Sequence, residues 1–170
     1  MPPPPFPILF ITATRIGDAV LSSGLIRRLS EEVPGARFTI VAGPAAAPLF
    51  EDVPGLEEII RFEKSRDGGH WIRLWNQVRR RSWGLVVDLR GSAISGLLNR
   101  RKRAVYRRSS GSPVHKVIEA ARVLGLQVDP PAPYIYVGEA AARKAAGLVA
   151  GEGPILAMGP AANWVGKTWP

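Results

Sequence analysis

Apolar and polar positions along this chain follow two alternating periods. Phe6–Ile11 (FPILFI) is a continuous apolar run of strand length, the pattern of a strand covered on both faces. Ala19–Glu32 (AVLSSGLIRRLSEE) instead spaces Leu21, Leu25 and Leu29 at i, i+4 and i+8, the stripe of an amphipathic helix. Ile16-Gly17-Asp18 lies between them. A strand, a short glycine-containing loop and a helix put Asp18 at the carboxyl end of a strand, where open α/β sheets build their ligand sites. An acid in a helix's first turn also complements the helix dipole and can cap it. On this segment alone both readings stand.

The alternation continues. Arg37–Ala42 (RFTIVA) reads as a strand punctuated by Gly43-Pro44, Ala45–Asp52 as a short helix ended by Pro54-Gly55, and Glu58–Phe62 as a short strand. His70–Arg81 reads as a helix with Trp71, Leu74, Trp75 and Val78 on its apolar face, so its tryptophans are expected in the core. Leu85–Leu89 (LVVDL) is apolar enough for a central strand, followed by an Arg90-Gly91-Ser92 loop and a helix to about Asn99. Ala104–Tyr106 is a candidate short strand. His115–Leu124 is expected to be helical, with Gly125 at its C-cap and His115 half-buried near its start. Asp129–Pro133 is a proline-rich connection into Tyr134–Val137, and Glu139–Ala150 an alanine-rich helix. Gly151–Pro154 is the expected domain boundary, after which Ile155–Met158 starts a new strand. Repeated β-α alternation implies an α/β, Rossmann-like three-layer domain over residues 1–150, with a mostly parallel sheet and helices on both faces. No internal repeat is present. No GxGxxG follows the first strand, which disfavours a dinucleotide oxidoreductase.

Composition narrows the chemistry. At 170 residues the chain can hold one domain with a real core and the start of another. It has no cysteine, so disulfide frameworks and cysteine-ligated metal sites are excluded. His70 and His115 stand in no ligand spacing, and no metal or cofactor is expected. No apolar run reaches the ~20 residues of a membrane span. Pro2–Pro5 interrupts any signal-peptide helix and reads as a stiff, disordered lead-in, so the expected location is cytoplasmic. The formal net charge of +9 is concentrated in Arg79–Arg81 and in Arg100, Arg101, Lys102, Arg103, Arg107 and Arg108. Such clusters suit polyanions, from phosphorylated sugars to anionic lipid heads, or simply make a soluble surface. No helix-turn-helix, zinc-finger or RNP-type signature supports nucleic acid.

Gly159–Pro170 (GPAANWVGKTWP) is rich in small residues and presents one lysine. Small residues let backbone N–H groups approach an anion, and Lys167 adds a point charge, which is the chemistry of a diphosphate site. Ala161–Thr168 matches a relaxed P-loop with alanine for the first glycine, although Trp169-Pro170 follows where that loop's helix begins. A P-loop-like nucleotide module and a basic polyanion-binding module are therefore two open alternatives.

Four stretches, in order, resemble glycosyltransferase family 9, the heptosyltransferases of lipopolysaccharide core assembly. They are Ile8–Leu29 (ILFITATRIGDAVLSSGLIRRL), Phe38–Pro44 with Pro48, Leu85–Ser92 (LVVDLRGS, against a family D-L-Q-G), and Gly159–Pro170, against H-P-G-A-x-W-x-x-K-x-W-P. The resemblance implies the GT-B architecture, in which two Rossmann-like domains face each other across a cleft, the first on the acceptor side and the second on the nucleotide-sugar side. Residues 1–150 would be the first domain. Residues 151–170 would be the first strand and loop of the second, with Pro170 a truncation point and the fragment inactive by itself.

By matching position, the resemblance makes Asp18 the general base for the acceptor hydroxyl, with partial burial raising its basicity. It places Gly17, Arg90, Gly91 and Ser92 in acceptor-side loops. It makes Lys167, with Asn163, the group that meets the donor's diphosphate, and it implies no metal. Arg90 replaces the family's glutamine, and two roles are open to it: holding an anionic acceptor group or pairing with a surface acid. Gly159 replaces the family's histidine and Asn163 a small hydroxyl residue. Asn163 and Trp164 can shape the donor loop, and Trp169 is read as packing. The implied partners are ADP-heptose, a phosphorylated glycolipid acceptor and, through the basic clusters, the anionic inner face of the inner membrane.

Overall fold

A computed structural model describes residues 1–63, 68–107, 114–149 and 153–159. Asn163, Trp164, Lys167, Trp169 and Arg108, and with them the relaxed P-loop, lie outside the described residues. Two compact units divide at Tyr136/Val137.

The first unit is built on five strands, β1 (Phe6–Ile11), β2 (Ala36–Ala42), β3 (Leu56–Arg61), β4 (Trp83–Asp88) and β5 (Arg100–Val105). Their order is β3-β2-β1-β4-β5 and all four pairings are parallel, so the expected α/β Rossmann-like sheet is found. β1 is central because it is apolar at every position, and the pleat sends alternate residues to opposite faces. Ile8 and Phe10 join a core with Leu25, Ile26 and Leu29 of helix α1 (Ile16–Glu32), Phe50 of the 3-10 turn Ala47–Phe50, and Ala121 of α4 (Lys116–Ala121). Leu9 and Ile11 face a second core with Leu74 and Val78 of α2 (Gly69–Val78), Ile94 of α3 (Ile94–Leu97), and Leu98. Trp71 and Trp75 pack half-buried against this second core, as their helical spacing predicts.

Several boundaries differ from expectation for identifiable reasons. Helix α1 starts at Ile16 rather than Ala19, because the extended residue is Arg15 (φ −82°, ψ 139°), so Gly17 and Asp18 belong to its first turn. Ala45–Asp52 closes only one 3-10 turn, with Pro48 at its start, the place a residue without an N–H is tolerated. The helix expected to reach Asn99 is the single turn α3. Arg100 Nη1 donates to the carbonyls of Gly96 (3.0 Å) and Leu98 (2.6 Å), and Leu98 turns extended to enter β5. The helix at His115–Leu124 is confirmed as α4 plus the 3-10 turn Arg122–Leu124, with Gly125 left-handed (φ 75°) at its end. His115 is its exposed N-cap rather than half-buried, its Nδ1 accepting from the Val117 N–H (3.3 Å).

The largest departure is β5. Only Ala104–Tyr106 looks like a strand in the sequence, yet the basic run Arg100–Arg103 forms most of it. An edge strand pairs on one side only and tolerates charge, and a charged edge discourages pairing with another chain. Residues 1–5 carry no regular structure.

In the second unit, α5 (Glu139–Leu148) matches the expected alanine-rich helix. The strand expected at Ile155–Met158 is not formed, and 154–159 carries no regular structure. A strand needs a ladder partner, and the described residues of this unit contain no other strand.

Candidate functional site

The order β3-β2-β1-β4-β5 reverses direction at β1. The chain leaves β1 to one side for β2 and β3, then returns to the other side for β4 and β5. The crevice at the carboxyl ends of β1 and β4 is thus the topological switch point, where loops diverge and leave room for a ligand. The first turn of α1, which follows β1, holds Gly17 and Asp18, and the loop that follows β4 holds Arg90, Gly91 and Ser92. Backbone bonds set their common height: Leu89 N–H donates to Ile11 O (2.9 Å), and Tyr106 N–H to Asp88 O (2.8 Å).

The β1 side is pinned by packing. Thr12 is buried, its Oγ1 lies 3.2 Å from Ser22 Oγ, and Ser22 Oγ donates to Ala19 O (3.0 Å). Gly43, in the loop after β2, presses on the same turn, and a Cβ there would lie 2.3 Å from Thr14 O. No side-chain hydrogen bond caps α1, so Asp18 acts on the helix only through its charge. Asp18 is exposed, not partly buried as the resemblance implies. Its carboxylate is open to an incoming molecule. Beside it, a Cβ on Gly17 would meet nothing within 4 Å. Gly17→Ala is therefore expected to stabilise the fold by roughly 0.5–1 kcal/mol, since a helical alanine is preferred to glycine. A higher melting temperature is the expected result.

The β4 side is organised by a residue that sequence reasoning missed. Asp88, at the last position of β4, is fully buried. Its Oδ1 accepts from Arg90 N–H (3.0 Å), and its Oδ2 accepts from Ser92 N–H (2.8 Å) and Ser92 Oγ (2.7 Å). An aspartate before x-G-S, which can bond its own downstream backbone, is the available sequence signal. The loop it folds carries Gly91 at φ 64° against the Tyr106 carbonyl. Arg90 is half-buried, its guanidinium 4.4 Å from the Phe62 ring centre and 5.0 Å from that of Trp71. Of the two roles open to it, pairing with a surface acid is not seen among the described residues. Burial lowers its pKa, partly offset by the charge of Asp88, and it stays cationic at any working pH.

A cavity of about 390 Å³ opens beside the first turn of α1, lined among others by Arg15, Asp18, Leu89, Tyr106, Lys116 and Glu119; of the site residues expected from sequence it takes in Asp18 but not Gly17, Arg90, Gly91 or Ser92. Glu119 accepts from Lys116 Nζ (2.5 Å) and from the Tyr106 hydroxyl. These bonds, that of Lys116 first, hold its carboxyl below the usual glutamate range. A depressed carboxylate pKa contributes stability that is present above about 4.3, the unfolded value, and lost as pH falls through the folded one. Melting curves of the protein and its Glu119→Gln variant should therefore differ by a constant amount above about pH 5 and converge in acid.

Among the described residues no helix is long and apolar enough to cross a membrane, and no group of three acidic or histidine side chains could hold a metal ion.

No protein-family profile matches this chain, and no curated protein matches it. Solved structures do. A glycosyl transferase family 9 structure from Veillonella parvula DSM 2008 aligns with a TM-score of 0.59 at 17% identity, over 82% of this chain and 47% of that one. The E. coli ADP-heptose lps heptosyltransferase II gives 0.58 at 18% identity, over 84% and 50%. The E. coli heptosyltransferase WaaC with ADP gives 0.56 at 11% identity, over 86% and 55%. This chain thus has the fold of about half of each of these heptosyltransferase and family 9 structures.

Proposed function

We propose that this chain is the acceptor-side half of a family 9 glycosyltransferase of GT-B architecture, one that moves a heptose from ADP-heptose to a sugar of the lipopolysaccharide inner core. The observation that carries this reading is positional. Asp18 and Leu89, the residue before the Arg90–Ser92 loop, come from two distant stretches of sequence and line one cavity at the switch point. The fold shared with heptosyltransferases solved with ADP and with an ADP-heptose analogue supports the same reading.

In this account the acceptor hydroxyl attacks the anomeric carbon while Asp18 takes its proton. The new carbon–oxygen bond forms as the bond to the diphosphate breaks, and the nucleoside diphosphate leaves with the electron pair. Asp18 then returns the proton to solvent. A free aspartate, with a pKa of about 3.9, is a weak base for an alcohol, so its part is to accept a proton that bond formation has already acidified. Lys167, with Asn163, neutralises the charge that develops on the leaving diphosphate, and no metal is called for. Residues 1–150 bind acceptor, residues 151–170 open the donor half, and the chain by itself turns nothing over.

The work is cytoplasmic, at the inner face of the inner membrane. β5 and Arg79–Arg80 supply the attraction to anionic lipid, at about 1 kcal/mol for each basic residue near the surface.

The test is mass spectrometry of a truncated core glycolipid incubated with ADP-heptose and a protein carrying both halves. A gain of one heptose is expected. An unchanged acceptor contradicts the proposal.

A further inference from the structure

We infer that the cavity at the amino ends of β1, β4 and β5 binds a single-chain amphiphile with an anionic head. Its tail lies against Phe6 and the flanking prolines, and its carboxylate or phosphate meets Arg101. The site is separate from the proposed transferase crevice, since it lies at the opposite end of the sheet from Asp18, about 20 Å away by the rise of a six-residue strand.

The sheet brings the two basic clusters together. Trp83, which follows Arg79–Arg81, pairs with Arg100, the first residue of β5. A cavity of about 490 Å³ opens beside them, a size usual for small-ligand sites. Pro4, Pro5, Phe6, Pro7 and Pro34 supply most of its apolar wall. The prolines have no N–H to offer a ligand. The polar groups nearby are spent on one another: Asn99 Nδ2 donates to Ser82 Oγ (2.8 Å), Trp83 N–H to Asn99 O (2.9 Å), and Trp83 Nε1 to Val78 O (3.1 Å). An apolar tail therefore leaves water here without stranding a donor or acceptor.

The wall is in place before a ligand arrives. Phe6 N–H donates to Gly35 O (2.8 Å), which ties the start of β1 to the turn before β2. The Phe6 ring lies over Gly84, where a Cβ would come within 2.6 Å of it. A preformed wall reduces the ordering cost of binding.

Charge selects the head group. Arg100 and Arg101 line the cavity, and among the described residues no acid does. Arg100 Nη1 is spent on the carbonyls of Gly96 and Leu98. Arg101 is exposed and makes no ion pair among the described residues. Its planar fork can take a carboxylate or phosphate through two parallel bonds. A cationic head is repelled, and a neutral one forgoes the charge-assisted bonds.

The probes are decanoate, decyl phosphate, decyltrimethylammonium and acetate, titrated below micelle formation into the 170-residue chain. The ¹⁵N amide resonances of Phe6, Gly84 and Arg101 are the readout, with those of Ala13 and Leu89 as distant controls. Both ten-carbon anions should saturate the near resonances at a concentration about tenfold below that for decyltrimethylammonium, a like tail of opposite charge, or for acetate, a head without a tail. Arg101→Met should abolish the preference over the cation. Lys102→Met, one residue along β5 and outside the cavity, should keep it, as should Asp18→Asn. Ser82→Trp and Pro34→Trp each fill the cavity from an exposed rim position and should remove saturable binding. Melting curves show whether each variant is folded, and each serves if the other unfolds. Equal saturation by anion and cation, a preference that survives Arg101→Met, or no saturable shift at Phe6 and Gly84 overturns the inference. Phosphatidylglycerol vesicles then identify the source of the amphiphile. Vesicle binding that excess decanoate blocks and Ser82→Trp abolishes means that the tail comes from a bilayer. Vesicle binding that neither affects, or none, means a monomeric amphiphile, and the site stands in both cases. A transfer assay reports on the crevice alone, so either reading can fail without the other.

Discussion

Replacing Asp18 with asparagine in a protein carrying both halves should lower transfer by about 10²- to 10⁴-fold, the range that general base catalysis contributes. Stability should hardly move. Asp18 makes no capping hydrogen bond, and the helix-dipole interaction it loses is worth about 0.3–1 kcal/mol for an exposed charge. Donor affinity should also persist, because the proposed diphosphate ligands, Lys167 and Asn163, lie elsewhere in the sequence. Steady-state rates beside a melting curve check both halves of the prediction. A helix-dipole residue would show the opposite balance, a small loss of stability with turnover intact. This contrast decides between the two readings that Ile16-Gly17-Asp18 allows.

The second large effect belongs to Asp88. Asp88→Ala removes a buried acceptor of three hydrogen bonds and strands the Arg90 and Ser92 donors beside an apolar strand end. Bonds to a charged group contribute roughly 1.5–3 kcal/mol each, but the Arg90–Ser92 loop can turn its donors to water. The expected net loss is therefore about 2–4 kcal/mol, read as a lower urea midpoint at unchanged slope. Asp88→Asn keeps one acceptor oxygen and should fall between. If Arg90 has the proposed acceptor-side role, both variants should raise the acceptor KM more than they lower kcat in a transfer assay, since Asp88 is buried beneath the loop that carries Arg90. An unchanged midpoint would mean that the loop holds its shape without the carboxylate.

The two mutations sit at opposite ends of what the sequence discloses. Asp18 is legible because it opens a clear helix soon after a clear strand, and the sheet then sets that helix start at the carboxyl end of β1. Gly17 and Arg90–Ser92 are legible for the same reason, each following an apolar strand. The alternation of Ile8 and Phe10 with Leu9 and Ile11 between two cores follows from the pleat once β1 is known to be central. Asp88 is harder to read. It lies inside the apolar run LVVDL, and only the fold shows that its carboxylate turns back onto its own loop. Glu119 is harder still, because helical spacing reveals Lys116 but not Tyr106, whose hydroxyl arrives from a different strand exit.

β5 escapes for another reason. Strand signals rest on apolar and β-branched residues, whereas Arg100–Arg103 are in a strand because β4 offers them a ladder and solvent accepts their side chains. Arg103 Nε and Nη2 donate to Ser95 Oγ at 3.1 and 3.0 Å, and Arg100 bonds carbonyls at the end of α3, so two of the four charges are tied to structure. Arg101 and Lys102 make no ion pair among the described residues and are exposed. The Ile155–Met158 error has the converse cause. Its composition suits a strand, but a strand exists only beside a partner. Asp18's exposure follows from tertiary placement, since a first-turn residue faces outward or inward according to how its helix is rotated on the sheet.

The central claim is that the crevice between β1 and β4 receives the acceptor. The most direct measurement is hydrogen–deuterium exchange of this chain with and without a truncated core glycolipid. The account predicts protection in the segments covering residues 12–22 and 88–93, whether or not the lipid's anionic groups also protect β5. Protection confined to β5 and the Arg79–Arg81 region would contradict it in favour of a polyanion-binding surface. Protection of residues 161–168 by nucleotide alone, with the crevice unchanged by glycolipid, would contradict it in favour of a nucleotide module.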